Sequence, residues 1–175
     1  MTPDKKPPRV FVSRKIPDPG LELLEPVTRL GVWDQTRRMT RKEQLEAFTL
    51  CDGLLTTGEC RVDREMLAAC PRVRAVSNYA VGYDNIDVPA CTDLGVLVGN
   101  TPGVLSETTA DLAFTLMLAT ARRVVELAAW VKKGLWTKDM GPAQKLGTDV
   151  HHAVLGILGM GRIEKRWPSG PAGSA

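Results

Sequence analysis

The run Arg9-Val10-Phe11-Val12-Ser13 is a short apolar segment of strand type, and a helical pattern begins close behind it at Pro19. The same alternation recurs along the first hundred residues. Further strand-type runs lie at 27–33, 53–56, 73–77 and 96–98, with helix-like stretches at 40–48 and 63–69. Alternating strands and helices predict parallel βαβ units with right-handed crossovers, and they disfavour a β-sandwich or a helix bundle. The sequence therefore predicts an α/β fold. Thr40 and Glu43 form a capping-box pattern at one helix start.

The pattern becomes helical after residue 105. One long helix is expected from 106 to about 123, and a second from 124 to 133. Leu112, Leu116 and Ala119 recur at helical spacing, which predicts a buried stripe along the first of these helices. We place a change of domain near Pro102 and Gly103, with a further strand at 153–158.

That last strand-type run leads directly into Gly159-Met160-Gly161-Arg162-Ile163. A strand followed by a Gly-x-Gly turn is a phosphate-binding pattern, because glycine lets the backbone approach a pyrophosphate at a helix N-terminus. Position 164 is Glu where the third glycine is expected, and the acidic residue expected about 20 positions later would fall beyond residue 175. On spacing alone, an ordinary strand-turn-helix corner explains the pattern equally well.

The composition excludes several functional classes. The 175 residues are 43% hydrophobic and 25% charged, which is typical of a globular protein with one domain or slightly more. The net charge is only +3 and no basic stripe is present, so we expect no nucleic-acid partner. No apolar run approaches the length of a membrane span, and the amino terminus lacks a signal-peptide core. We therefore expect a cytoplasmic protein with no membrane association.

The cysteines carry no pattern of metal ligation. Cys51, Cys60, Cys70 and Cys91 are scattered, without a Cys-x-x-Cys pair or a histidine cluster nearby. This spacing predicts reduced, partly buried thiols and no metal site.

Three segments together resemble the D-isomer-specific 2-hydroxyacid dehydrogenase family, which includes glyoxylate and hydroxypyruvate reductases. The segments are SNYAVGYDNID at 77–87, GVLVGNTPGVLSETTADLA at 95–113 and VLGILGMGRI at 154–163. Their order and separation match the amino-terminal half of the family, and the resemblance covers about residues 9–163. The runs Asn100-Thr101-Pro102 and Glu107-Thr108-Thr109-Ala110 point to the glyoxylate reductase branch.

The resemblance implies a particular architecture. A flavodoxin-like parallel-sheet substrate domain is expected at 9–102, followed at 103–163 by the truncated start of a Rossmann dinucleotide-binding domain that includes the interdomain helix. We expect residues 164–175 to be an aberrant tail. Restoring one G before suitable codons for Glu164 and the next four residues yields Gly-Lys-Ala-Val-Ala, which supplies the missing glycine. We therefore hypothesise a one-base frameshift at codon 164.

The resemblance also implies roles for individual residues. In the family, the loop that matches 80–82 offers backbone N–H groups to the substrate carboxylate, so Val81 and Gly82 are the expected substrate-binding residues. An ordinary turn is the alternative explanation for this glycine. The expected cofactor-binding residues are Thr109, Gly159, Gly161, Arg162 and Ile163. For Thr109, a role in satisfying backbone groups in the first helical turn is an equally good explanation.

The implied activity is the NAD- or NADP-dependent reduction of a small 2-keto acid, glyoxylate or hydroxypyruvate, to the D-2-hydroxy acid by a homodimeric parent enzyme. The catalytic arginine, glutamate and histidine of the family lie downstream of residue 175. His151 and His152 precede the nucleotide-domain strand instead, so we assign no catalytic residue and expect this chain to be inactive. The alternative is a non-catalytic carboxylate-binding module, or one that dimerises through helix 109–133.

Overall fold

The computed structural model describes residues 6–137 and 139–167. The chain divides into two compact units, and the division falls between Pro102 and Gly103. In the first unit, strands and helices alternate as β1 (Arg9–Val12), α1 (Asp18–Glu22), β2 (Arg29–Val32), α2 (Arg41–Phe48), β3 (Gly53–Thr56), α3 (Arg64–Ala69), β4 (Ala75–Asn78), α4 (Val88–Asp93) and β5 (Leu97–Gly99). The second contains α5 (Ser106–Ala121), α6 (Val124–Lys132) and a 3-10 helix, Glu164–Arg166.

The five strands of the first unit form one sheet in the order β2-β1-β3-β4-β5, and every neighbouring pair is parallel. In β1, Val12 pairs with Val32 of β2 on one side and with Leu55 of β3 on the other. The α/β fold expected from the alternating pattern is confirmed. The strand order reverses between β1 and β3, and folds of this type bind ligands outside the carboxyl ends of the strands near such a reversal.

Side-chain caps fix the starts of three helices. The Thr40 hydroxyl accepts a hydrogen bond from the Glu43 N–H, and the Glu43 carboxylate accepts one from the Thr40 N–H, so the expected capping box is present at α2. Asp63 caps α3 by accepting from the Met66 N–H. In the same way Asp87 caps α4, a helix that was not expected from the sequence. Each cap satisfies a backbone donor that the helix itself leaves unpaired.

The core of the first unit is built from both faces of the sheet. On one face, Val76 is buried in a cluster with Phe48 and Met66 of the covering helices. Val12 belongs to a second buried cluster, with Ile16 and Leu21. The ring of Phe48 packs against Phe11 with centroids 5.6 Å apart. The four cysteines are buried free thiols within or beside this core. Burial of both faces is typical of parallel sheets.

The second unit differs from the expectation in two places. Residues 153–158 are neither strand nor helix, and the side chains of Val154 and Leu158 are almost completely exposed. The prediction of a strand here is wrong for this structure. A parallel strand exists only with a hydrogen-bonding neighbour, and the described part of the second unit contains no other strand.

The predicted buried stripe on α5 is also wrong. Leu112 and Leu116 are each 57% exposed, Ala119 is half-buried, and Ala110 is the buried residue of the helix. Within the described second unit, α5 packs against α6 and the 3-10 helix, and these do not cover the leucine face. A helical apolar period indicates which residues can be buried, but burial needs a second element on that face. No described helix is both long enough and apolar enough to cross a membrane.

Candidate functional site

The loop after β4 lies at the carboxyl edge of the sheet and is anchored at both ends. At its start, the Tyr79 N–H donates to the Thr56 carbonyl across 2.7 Å, which continues the pairing of β3 with β4. At its end, Ile86 forms a parallel bridge with Val62. The intervening residues 80–85 therefore start and finish at fixed points of the fold.

Three consecutive carbonyl groups of this loop accept hydrogen bonds from the same domain. The Ala80 carbonyl accepts from the Thr101 N–H at 3.0 Å. The carbonyl of Val81 accepts from Nδ2 of Asn100 at 2.8 Å, and that of Gly82 accepts from Nδ2 of Asn78 at 2.8 Å. The loop is thus held through its carbonyl oxygens.

The N–H groups of the same loop differ from its carbonyl groups in their hydrogen bonding. Among the described residues, the N–H groups of Ala80, Val81 and Gly82 donate no hydrogen bond. The side chain of Val81 is 37% exposed, so the loop is open to solvent. Successive backbone donors without an internal partner can bind an anion such as a carboxylate.

Asn78 connects this loop to the buried interior. Its side chain is fully buried at the end of β4. Its Oδ1 accepts from the hydroxyl of Thr56 at 3.1 Å, and its Nδ2 donates to Oδ1 of Asn85 at 3.1 Å as well as to the loop. Asn85 in turn donates to the Cys60 carbonyl at 2.8 Å. Buried polar groups are costly unless they are paired, and in this network each amide is paired.

Gly82 is not required by the packing of the first unit. A Cβ at this position would meet only Oδ2 of Asp84, at an ordinary contact distance of 3.5 Å. Its φ lies outside the left-handed range that favours glycine, so the backbone also tolerates a side chain. The absence of a side chain here leaves space outside the loop, beside the free N–H groups.

Charged groups line the same edge of the sheet near β1 and β3. Arg14 and Arg38 both pair with the carboxylate of Glu59, at 2.5 and 2.8 Å. Ser13 lies beside them, and its buried hydroxyl has no hydrogen-bond partner among the described residues. These groups enclose a small cavity of about 50 Å³. Two guanidinium groups against one carboxylate leave this edge with local positive charge.

In the second unit, the glycine-rich turn does not form the arrangement expected from its pattern. Gly159 has a φ of +91°, which glycine adopts most readily. A Cβ at Gly161 would lie 2.8 Å from Oε2 of Glu164. The turn leads into a 3-10 helix of only three residues, Glu164–Arg166. A dinucleotide pyrophosphate needs the N–H groups at the start of a helix. In the described structure a carboxylate lies beside Gly161, and the turn leads into a 3-10 helix rather than an α-helix.

The other residues expected to bind the cofactor do not all line one cavity. Arg162 lines a cavity of about 280 Å³ with Lys165 and Arg166 and with residues at the start of α5. Thr109 lies in the first turn of α5, where its N–H donates to the Leu105 carbonyl, and it does not line this cavity. Arg166 also approaches Glu107 of that helix at 3.6 Å. The roles assigned to Thr109, Gly159, Gly161, Arg162 and Ile163 remain predictions.

Comparison with known proteins assigns the chain to a protein family. The model of the D-isomer specific 2-hydroxyacid dehydrogenase catalytic domain matches residues 10–145. The chain belongs to this family. The match includes the parallel sheet apart from Arg9, the loop after β4 and both long helices of the second unit. The expected family is confirmed, and the match contains the segments at 77–87 and 95–113.

Two curated relatives show how much of a family member the chain represents. It is 47% identical over 156 residues to a glyoxylate reductase of Korarchaeum cryptofilum, covering 89% of this chain and 47% of that protein. It is 43% identical over 159 residues to a glyoxylate reductase of Thermococcus onnurineus, covering 89% and 48%. The chain therefore spans about half the length of the curated relatives that it matches.

Solved structures of the family agree with the fold. The TT0316 protein of Thermus thermophilus superposes with a TM-score of 0.82 and 40% identity, over 90% of this chain and 50% of that one. An NADPH-dependent glyoxylate/hydroxypyruvate reductase of Sinorhizobium meliloti, solved with NADP and malonate, gives a TM-score of 0.69 and 28% identity. That comparison covers 91% of this chain and 48% of the reductase.

The family motif directed attention to Val81 and Gly82, but sequence reasoning missed the side chains behind them. Asn78 and Asn100 supply two of the three hydrogen bonds to the loop carbonyls. One signal was available, because asparagine is depleted in strands and Asn78 ends a strand-type run. Such a residue at the carboxyl end of a parallel strand is a candidate for a buried polar contact.

Proposed function

We propose that this chain carries the substrate-binding domain of an NAD- or NADP-dependent reductase of small 2-keto acids, with glyoxylate or hydroxypyruvate as the substrate. The carboxylate of the keto acid binds at the N–H groups of Val81 and Gly82. The observation that carries the proposal is the loop after β4, in which the carbonyl groups of Ala80, Val81 and Gly82 accept hydrogen bonds from the protein, while their N–H groups donate none among the described residues. The names of the relatives support the substrate class and the cofactor.

The loop acts by binding and orienting the substrate. Two backbone N–H donors can bind the carboxylate without a charged side chain. The keto carbon next to this carboxylate is then held at a fixed distance from the loop. The chain's two histidines, His151 and His152, both belong to the second unit. We therefore propose that the 175-residue chain binds the keto acid and does not reduce it.

The test uses oxamate, a stable small carboxylate related to the 2-keto acids. Addition of oxamate to the ¹⁵N-labelled chain should shift the amide resonances of Val81 and Gly82 in a saturable manner. Oxamide, which has the same size and no charge, is the matched ligand control and should leave both resonances in place. If oxamate moves other amides and not these two, the proposed site is wrong.

Two further measurements test the remaining parts of the proposal. Incubation of the chain with glyoxylate and NADPH should give no loss of absorbance from the reduced cofactor, and turnover would contradict the assignment of binding without catalysis. Titration with NADPH should give little change in cofactor fluorescence, because the turn at Gly159 and Gly161 presents no helix N-terminus. Tight binding of NADPH would show that this turn rearranges.

A second candidate function is an interaction module, and exposed apolar groups favour it. Leu112 and Leu116 of α5 are each 57% exposed, and Val125 of α6 is 77% exposed. Leu112 and Leu116 are four residues apart and therefore neighbours on one face of α5, and an exposed apolar face is typical of an association site. Light scattering at increasing protein concentration tests it, with Leu116→Lys as the disrupting variant. A constant monomer mass would argue against dimerisation through these helices.

A further inference from the structure

The three hydrogen bonds to the loop carbonyls also determine where the loop N–H groups point. In a trans peptide, the C=O of one residue and the N–H of the next lie in one plane and point in opposite directions. The partner of each carbonyl therefore sets the direction of the following N–H. The Thr101 N–H, which holds the Ala80 carbonyl, orients the N–H of Val81.

By the same rule, Asn100 orients the N–H of Gly82. Its Nδ2 donates to the Val81 carbonyl at 2.8 Å, and this carbonyl shares a peptide plane with the Gly82 N–H. The next peptide is fixed independently, because Asn78 donates to the Gly82 carbonyl from the buried network. The Val81–Gly82 peptide is thus the one whose direction depends on a side chain near the surface.

We propose that Asn100 is a positioning residue of the carboxylate site, and that it acts by directing the N–H of Gly82 toward the ligand. It does not need to touch the keto acid itself. The inference rests on the proposed function, since the ligand is the same carboxylate. Without the amide of Asn100, the peptide is free to rotate, and one of the two proposed donors is no longer held ready for the anion.

Asn100 is suited to a clean test because it is only half-buried. Asn100→Ala removes the donor and leaves the backbone of the next residue in place. Thr92→Ala is the matched control, since Thr92 belongs to the same unit and its exposed side chain donates to a backbone carbonyl, that of Val88 within α4, away from the loop. Asn100→Gln keeps an amide donor and serves as the conservative variant.

Four results are expected. Asn100→Ala should weaken oxamate binding by about tenfold, which corresponds to about 1.4 kcal/mol, and Thr92→Ala should leave it within about twofold of the parent chain. Asn100→Gln should recover part of the affinity. In the absence of ligand, ¹⁵N relaxation should show a less ordered Gly82 amide in Asn100→Ala, with the Val76 amide of β4 unchanged.

The readouts separate this inference from the proposed function. If the parent chain binds oxamate and Asn100→Ala binds it equally well, the positioning role is wrong. If the parent chain does not bind oxamate, the proposed function is wrong, and the ligand-free relaxation of Gly82 then decides the positioning role alone. An equally ordered Gly82 amide in Asn100→Ala would overturn it.

Discussion

Replacement of Asp84 by asparagine should strengthen anion binding at the loop after β4. The Asp84 carboxylate is exposed, and its Oδ2 lies 3.5 Å from the position that a Cβ would occupy on Gly82. Among the described residues, this carboxylate has no hydrogen-bond or ion-pair partner in the protein. Asparagine keeps its shape and removes one negative charge beside the proposed carboxylate site.

The size of the effect follows from Coulomb's law. Two unit charges about 5 Å apart in water interact by about 0.8 kcal/mol, which corresponds to a change in affinity of about fourfold. The Debye length falls from about 30 Å at 0.01 M salt to about 3 Å at 1 M. The gain in affinity for Asp84→Asn should therefore be largest at low salt and should nearly vanish at high salt.

The assay is a titration with oxamate, followed by the Gly82 amide resonance at both salt concentrations. Asp34→Asn is the control, because Asp34 is exposed and follows β2, which lies three strand positions from β4, or about 14 Å at the usual strand spacing. It changes the net charge equally and should alter the affinity much less. Unchanged or weaker binding by Asp84→Asn at low salt would refute the electrostatic reasoning.

Three other predictions concern the first unit. The free energy of unfolding of Gly82→Ala should lie within about 1 kcal/mol of that of the parent chain, because the new Cβ meets only one side chain. The variant should nevertheless bind oxamate more weakly, and equal affinity would count against the site. Hydrogen bonds from Arg37, and then from the N–H and hydroxyl of Thr40, lower the pKa of Glu43 to about 2. The folded-state pKa lies below the unfolded value, so the stabilisation is complete above about pH 4.5 and is lost as the pH falls toward 2. Denaturation at several pH values should show a larger acid loss in the parent chain than in Glu43→Gln, which retains the lowered pKa values of Asp52, Asp63 and Glu126. Burial raises the pKa of Cys60 to about 12, so its alkylation by iodoacetamide near neutral pH should require unfolding, and rapid labelling of the native chain would contradict this.

The fold of the first unit was largely predictable from local sequence. The runs at 53–56 and 96–98 coincide with β3 and β5 to within a residue, and Thr40 caps α2 as expected. These features depend on strand-type apolar runs and on contacts between residues three positions apart, both of which are visible in the chain itself. The short helix α4 was missed, because six residues that include a proline carry little helical period.

The errors lie where structure depends on distant partners. The strand expected at 153–158 is absent from the described structure, because a strand needs a neighbour that the local pattern does not reveal. The stripe of Leu112 and Leu116 is exposed for a related reason, since periodicity marks an apolar face but not the element that covers it.

By itself, the sequence determined the parallel α/β class, the Thr40 cap of α2 and the family, and through the family motif it indicated Val81 and Gly82. Only the tertiary structure decided which groups hold that loop. Asn78 lies at the end of β4, only four residues before Gly82. Asn100 and the Thr101 N–H follow β5 instead, and they meet the loop because β4 and β5 are neighbours in the sheet. Hydrogen bonds between residues about twenty positions apart leave no period in the sequence, and the direction of a peptide N–H is fixed only when such partners are in place.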